Sequence, residues 1–201
     1  MSRRAAVIFL AGCLACLPAP RPAASHPHVW ILVVVTFVFD GERLTGVRHR
    51  WTFDDLFSAY LSKEFNRNSN DRLEPEEQES LRTNAFANLA QFGYFSHLRL
   101  NGQPVELAQA MEFTAALEDG SVVYEFSLPL PTPATPHDTT IEFSVYDASY
   151  FVDVILDEND AVRFAGIASG ACQFAVRDDP ARTYYFNLIV PQTIRVACQA
   201  G

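Results

Sequence analysis

"VWILVVVTFVFDGERLTGVRHRWTF", Val29–Phe53, decides the fold. Its first half is apolar and rich in Val, Ile and Phe, too short to span a membrane and suited to a buried strand. "DGER" at Asp40–Arg43 is a turn signal. The return leg alternates, with Val47, His49, Trp51 and Phe53 on one face and Arg48, Arg50 and Thr52 on the other. The segment therefore reads as a β-hairpin. With a two-residue turn at Gly41-Glu42, residue 39 faces 44, residue 30 faces 53 and residue 28 faces 55.

Helical spacing follows at once in "DDLFSAYLSKEF", with Asp54 as N-cap and Leu56, Phe57, Tyr60 and Leu61 as its apolar stripe. After a polar loop, a second helix is expected from Pro75 to about Phe92, packing through Leu81, Phe86, Leu89 and Phe92. The rest is strand-like. "SHLRLNGQPVEL" turns at Asn-Gly, and "MEFTAALEDGSVVYEFSLPL" turns at Asp119-Gly120. A Pro-rich connection, "LPLPTPATP", leads to short strands in "TTIEFSVYD", "YFVDVILDE", "AVRFAG", "CQFAV", "YYFNLIV" and "TIRVAC". The fold class expected is α+β: a mainly antiparallel β-sandwich with an EF-hand-like helix-loop-helix inserted at about residues 54–93.

The first 25 residues read as a secretory signal peptide: Arg3 and Arg4, an apolar run from Ala5 to about Leu17, then small residues, with Ala23 and Ser25 suited to a cut before His26. The rival reading is a lipoprotein signal at "LAGC" with Cys13 lipidated. Residues 26–201 are then a single domain. The leader carries three arginines and no acid, so its removal takes the formal net charge from −9 to −12. Nucleic acid is a poor partner for such a chain, because phosphate contacts need clustered Lys and Arg. No later stretch is apolar for the roughly 20 residues that a membrane helix needs. Beyond the leader only Cys172 and Cys198 remain, which in an oxidising compartment suggests one disulfide, worth about 3 kcal/mol in the chain-entropy account.

"NRNSNDRLEPEE", Asn66–Glu77, aligns with the calcium loop of an EF-hand. Asn66, Asn68 and Asn70 take the first three ligand positions, Arg72 the backbone-carbonyl position, Leu73 the apolar position and Glu77 the bidentate position. Glu74 is a further candidate through water. Neutral amides replace carboxylates, and Asp71 stands where Gly normally takes a left-handed turn. Weak calcium binding, at about 10⁻⁴–10⁻³ M, is the range expected. The plainer reading is a polar turn followed by ordinary helix-start chemistry at Pro75, Glu76 and Glu77.

The transition-metal candidates lie in "HPHVW". A cut before His26 leaves an α-amino group and an imidazole on one residue, a two-nitrogen clamp for Cu, Ni or Zn. Pro27 has no amide hydrogen, which blocks square-planar binding through deprotonated amides. His28 adds a third nitrogen, and the hairpin register brings Asp54 and Asp55 to its level as candidate carboxylates. A one-residue slip still leaves one of them there. The plainer reading is a frayed terminus with Asp54 merely capping its helix. His49 reads as a core or edge histidine, while His97 and His137 stand alone in turn-like context. No nucleophile–base ordering and no phosphate-binding glycine loop is present, so no enzyme is expected.

"HPHVW", "WTFDDLFSAYL", the calcium-loop-like segment, "FANLAQFGYFSHLRLNGQPVE" and "VYDASYFV" together resemble the bacterial domain-of-unknown-function family 1007, from His26 to about Cys198. The resemblance implies a periplasmic component of an uncharacterised ABC-type transport system, associated with nickel/cobalt- or zinc-type transporters. The chain departs from the family pattern at Asn66, Asn70 and Asp71 in the loop and at Leu32 after "HPHVWI". The function expected is an exported accessory or solute-binding protein that binds a transition metal (Zn, Ni or Cu) through its N-terminal His-Pro-His. The alternative is a non-catalytic structural or interaction domain, calcium-stabilised or not, docking on a membrane transporter. A copper-oxidising enzyme with an N-terminal histidine clamp is disfavoured, since no further histidine faces the first.

Overall fold

The computed structural model describes residues 27–199. The expected signal peptide, Cys13 and His26 lie outside them. Two sheets and two α-helices form an α+β fold. The opening hairpin pairs β1 (Val29–Asp40) with β2 (Arg43–Phe53) as expected, Phe39 facing Leu44. Its register then slips. Thr45 is an extra residue in a bulge, its hydroxyl donating to the Val38 carbonyl, and beyond it Ile31 rather than Trp30 faces Phe53.

The first sheet is mixed, where a mainly antiparallel one was expected. Its strands run β5 (Met111–Glu118), β6 (Ser121–Ala134), β2, β1, β8 (Val152–Leu156), and β9 (Val162–Ala165) continues alongside β1 after β8. Both β8 and β9 lie parallel to β1, with Val29 opposite Val152 and Val35 opposite Val162. Hydrogen bonds from Asp157 N to Val33 O and from Val35 N to Ala161 O close the gap where the chain leaves the sheet between them. Strand β1 is thus interior, with neighbours on both edges, and its inward residues Ile31, Val33, Val35 and Phe37 are fully buried. That is what its near-continuous apolar run serves.

The second sheet runs β10 (Cys172–Asp178), β11 (Gln192–Cys198), β7 (Ile141–Val145), β3 (Ser96–Leu100), β4 (Gln103–Val105). Cys172 and Cys198 face each other across β10 and β11 and are joined as a disulfide. Phe37 of β1 meets Phe143 of β7 edge to face at 5.9 Å between ring centroids, and the two sheets contribute to one hydrophobic core.

Four further expectations change. The Pro-rich connection is the second half of β6, with Pro129 opposite Gly46. The Pro129 carbonyl accepts from Ala108 N, so the hydrogen-bonding side of Pro129 faces away from β2, and Pro131 and Pro133 fall in an irregular stretch of β6 that pairs with neither neighbour. Strand β5 reaches only Ser127, so these nitrogens lie on an edge, where a missing N–H breaks no ladder. "YYFNLIV" is not a strand. Tyr184 and Ile189 form a single bridge around a turn in which Tyr185, Phe186 and Asn187 are all left-handed. The second helix, α2 (Pro75–Asn84), stops short, and 3-10 turns from Phe86 to Phe95 replace its expected end. Gly93 (φ 58°) and Tyr94 (φ 51°) turn the chain there, so that Phe86, Tyr94 and Phe95 reach the core. The first helix, α1 (Asp55–Phe65), buries Ser58, Leu61 and Phe65, while the expected stripe residues Leu56 and Tyr60 are exposed.

His49 is fully buried in the centre of this core, stacked on Phe126 at 4.9 Å. Its Nδ1 accepts from Trp51 Nε1, so Nε2 carries the proton toward Ser96 Oγ, which in turn donates to the Tyr94 carbonyl. Burial holds the imidazole neutral, pushing its pKa down to about 3. The unfolded chain takes up this proton near pH 6.5 and the folded chain does not, so stability falls as pH drops from 6.5 toward 3. The slope from one such group approaches about 1.4 kcal/mol per pH unit. His97, whose pKa burial also lowers, acts in the same window. Chemical denaturation between pH 7 and 5 is expected to show a markedly shallower pH dependence in His49→Gln, which keeps both hydrogen-bonding roles, than in the wild type.

Candidate functional site

The chain enters the first sheet at His28, whose amide donates to the Phe151 carbonyl at 2.9 Å while its ring packs on Phe151 at 4.8 Å. Two residues on, Trp30 is locked to the start of α1. Its N–H donates to Asp54 Oδ2 at 2.9 Å, and Asp54 N donates back to the Trp30 carbonyl at 3.0 Å. The other oxygen of Asp54 accepts from Leu56 N and Phe57 N, the first orphan amides of the helix. One carboxylate thus joins β1, the end of β2 and α1.

The slipped register sets Asp54 opposite Trp30 rather than beside His28, and commits its carboxylate to three backbone amides. Asp55 is exposed in the first turn of α1, and its side chain makes no hydrogen bond among the described residues. Sequence reasoning did not foresee the residues on the other side of His28. The parallel pairing brings in Phe151, and Asp153 opposite Trp30. Burial raises the Asp153 pKa. The signal was "YFVDVILDE", readable as a strand but not as a neighbour of β1. Among the described residues no three His, Cys, Asp or Glu side chains come close enough together to hold a metal.

The loop between the helices closes on itself. Glu77 is buried; its Oε1 accepts from Arg67 N at 2.7 Å and its Oε2 from Glu74 N at 2.9 Å. These backbone donors hold its pKa below the usual carboxylate range, Glu74 N contributing most. Asn68 Oδ1 accepts from Asn70 N, and Asn70 Oδ1 from Arg72 N, two side-chain turns that mimic backbone turns. Glu74 binds both Asn70 Nδ2 and Arg72 Nε. Leu73 is buried, as its position required, but the left-handed residue is Ser69 (φ 53°) and not Asp71. Asn66 is 7% exposed and donates to the Asn70 carbonyl; its Oδ1 is buried with no hydrogen-bond partner.

Of the remaining histidines, His137 lies in a turn as expected and His97 does not. His97 sits in β3, stacked on Tyr146 at 3.8 Å with Nε2 on the Tyr146 carbonyl. His137 contacts Asp138. Asp147 is buried and accepts from the amides of Ser149, Phe151 and Val152 and from the Ser149 hydroxyl, which fixes the turn into β8.

An uncharacterised 15.5 kDa protein in the trpE 3' region of Spirochaeta aurantia is 29% identical to this chain over 124 residues, 62% of this chain and 88% of the relative. An uncharacterised protein of Haemophilus influenzae is 24% identical over 151 residues, 74% of this chain and 71% of that protein. The strand entrance, the capped helix pair and the β3–β9 region all fall within residues 10–185, which match the family described as "Protein of unknown function (DUF1007)", and the chain belongs to that family.

Proposed function

We propose that the protein is an exported, non-catalytic accessory or solute-binding component of a transition-metal transport system. In this reading a signal peptidase cuts before His26, and the freed amine and imidazole of His26 bind the metal together with His28. The observation that carries it is the strand entrance: His28 lies exposed beside Phe151 where the chain enters β1, two residues before the Trp30–Asp54 lock to the head of α1. Asp55 is the better placed carboxylate, since Asp54 is held by three amides. The partner is a membrane metal transporter, and no described helix is itself long and apolar enough to cross a membrane. The proposal takes the two sheets as a β-sandwich carrying an EF-hand-like insertion, an arrangement supported by the Phe37–Phe143 contact and by helices on either side of Asn66–Glu77.

Weak calcium binding in that loop belongs to the same proposal. Its support is the orphaned Asn66 Oδ1, a buried oxygen at the first ligand position. Against strong binding stands the small number of charged ligands and the loop's own closure by Glu77. The second reading, a docking domain, is favoured by the left-handed turn Tyr185–Asn187, around which Phe186 and Leu188 are 85% and 72% exposed.

Intact-mass and terminal peptide analysis of exported protein is expected to give an N-terminus at His26 and a metal adduct lost in His26→Ala. A terminus elsewhere, or a lipidated Cys13, removes the clamp and leaves the docking reading. Millimolar calcium is expected to raise the melting temperature of the wild type and to do so less in Glu77→Gln. An unmoved wild type ends the calcium part without touching the histidine part.

A further inference from the structure

A second feature, independent of any metal, lies under the inner face of the first sheet. Strands β1 and β2 form its floor, α1 one wall and the 3-10 segment Phe86–Phe95 the other, enclosing a cleft of about 480 Å³. That volume is within the range of small-molecule pockets, about 300–1,000 Å³. The lining is aromatic and aliphatic: Trp51, Phe53, Leu61, Ala85, Phe86 and Leu89 are typical. At its mouth Phe92 and Phe151 are 54% and 48% exposed, unusual for rings of that size.

Charge and hydrogen bonding narrow the occupant. Among the described residues no Lys, Arg or His lines the cleft, and its one acidic wall residue, Asp147, already accepts from four donor groups of its own turn. An anionic ligand would meet a carboxylate and no counter-charge. An extended peptide would bring backbone donors and acceptors that these walls cannot satisfy. One polar group does remain. Tyr124 lines the cleft at 2% exposure, and its hydroxyl has no hydrogen-bond partner among the described residues. That hydroxyl is not a sealed orphan, since Asn66 Oδ1 alone has that standing among the described residues, and it is a donor that a ligand oxygen in the cleft can satisfy.

We propose that this cleft binds a neutral, largely hydrocarbon small molecule of the long-chain ester, ketone or alcohol class, whose single oxygen accepts a hydrogen bond from the Tyr124 hydroxyl. The hydrocarbon takes up the aromatic walls, and Phe92 and Phe151 close over it. Ala85, at the end of α2, is the position from which a larger side chain fills the space.

The test uses the full mature chain and the neutral dye N-phenyl-1-naphthylamine. Wild-type protein is expected to enhance its fluorescence saturably, with displacement by methyl laurate. Ala85→Phe and, as a second filling variant, Leu89→Trp are expected to weaken dye binding at least tenfold at an unchanged or raised melting temperature. Tyr124→Phe is expected to weaken methyl laurate roughly three- to tenfold, the worth of one hydrogen bond, and to leave dodecane unchanged. Absence of saturable enhancement, undiminished binding in a folded filling variant, an equal effect of Tyr124→Phe on both competitors, or laurate anion competing better than its methyl ester would each overturn the proposal.

Discussion

The structure depends on β1 being an interior strand. A strand with a neighbour along each edge must satisfy two ladders, and its inward side chains meet the partners that those neighbours carry. Antiparallel β2 arrives through a tight turn, so its pairing is local. Parallel β8 and β9 arrive from more than a hundred residues away, and they fix β1 only when the rest of the fold is complete. Once they do, Phe37 faces Phe143, His49 is enclosed between Phe126 and Trp51, and the turn held by Asp147 stands beside His28 at the entrance of β1.

What could be read from the sequence was what local physics determines. The Asn101-Gly102 and Asp119-Gly120 hairpins, the cap at Asp54 and the start of α2 at Pro75 all rest on neighbours within a few positions, and all stand as read. The failures share one cause. Pro129, Pro131 and Pro133 read as a linker because proline excludes a central strand, but nothing local says that β5 ends first and leaves an edge. The end of α2 was overread because apolar spacing at Phe86–Phe92 fits a helix, while the demand that Phe86, Tyr94 and Phe95 all reach the core bends the chain into 3-10 turns.

The candidate site divides the same way. That the entrance of β1 meets the first helix follows from the hairpin alone, and the one-residue bulge at Thr45 set Asp54 opposite Trp30. That Asp54 would be consumed by three amides could be suspected from its capping position; that Trp30 is one of the donors could not. In the loop Asn66–Glu77, Leu73 and Glu77 are buried, while the middle follows short-range turns among asparagines that no ligand pattern encodes.

The alternation of Pro129, Pro131 and Pro133 has an effect on molecules other than this one. A free strand margin normally offers amide hydrogens at every second residue, which is the template by which sheets grow from chain to chain. Here Pro129, Pro131 and Pro133 carry ring nitrogens without a hydrogen, and the Pro129 carbonyl is already taken by Ala108 N, so an incoming strand finds few partners along the tail of β6. In a crowded compartment this margin resists accretion through its covalent chemistry, and it keeps that resistance even when the fold around it loosens.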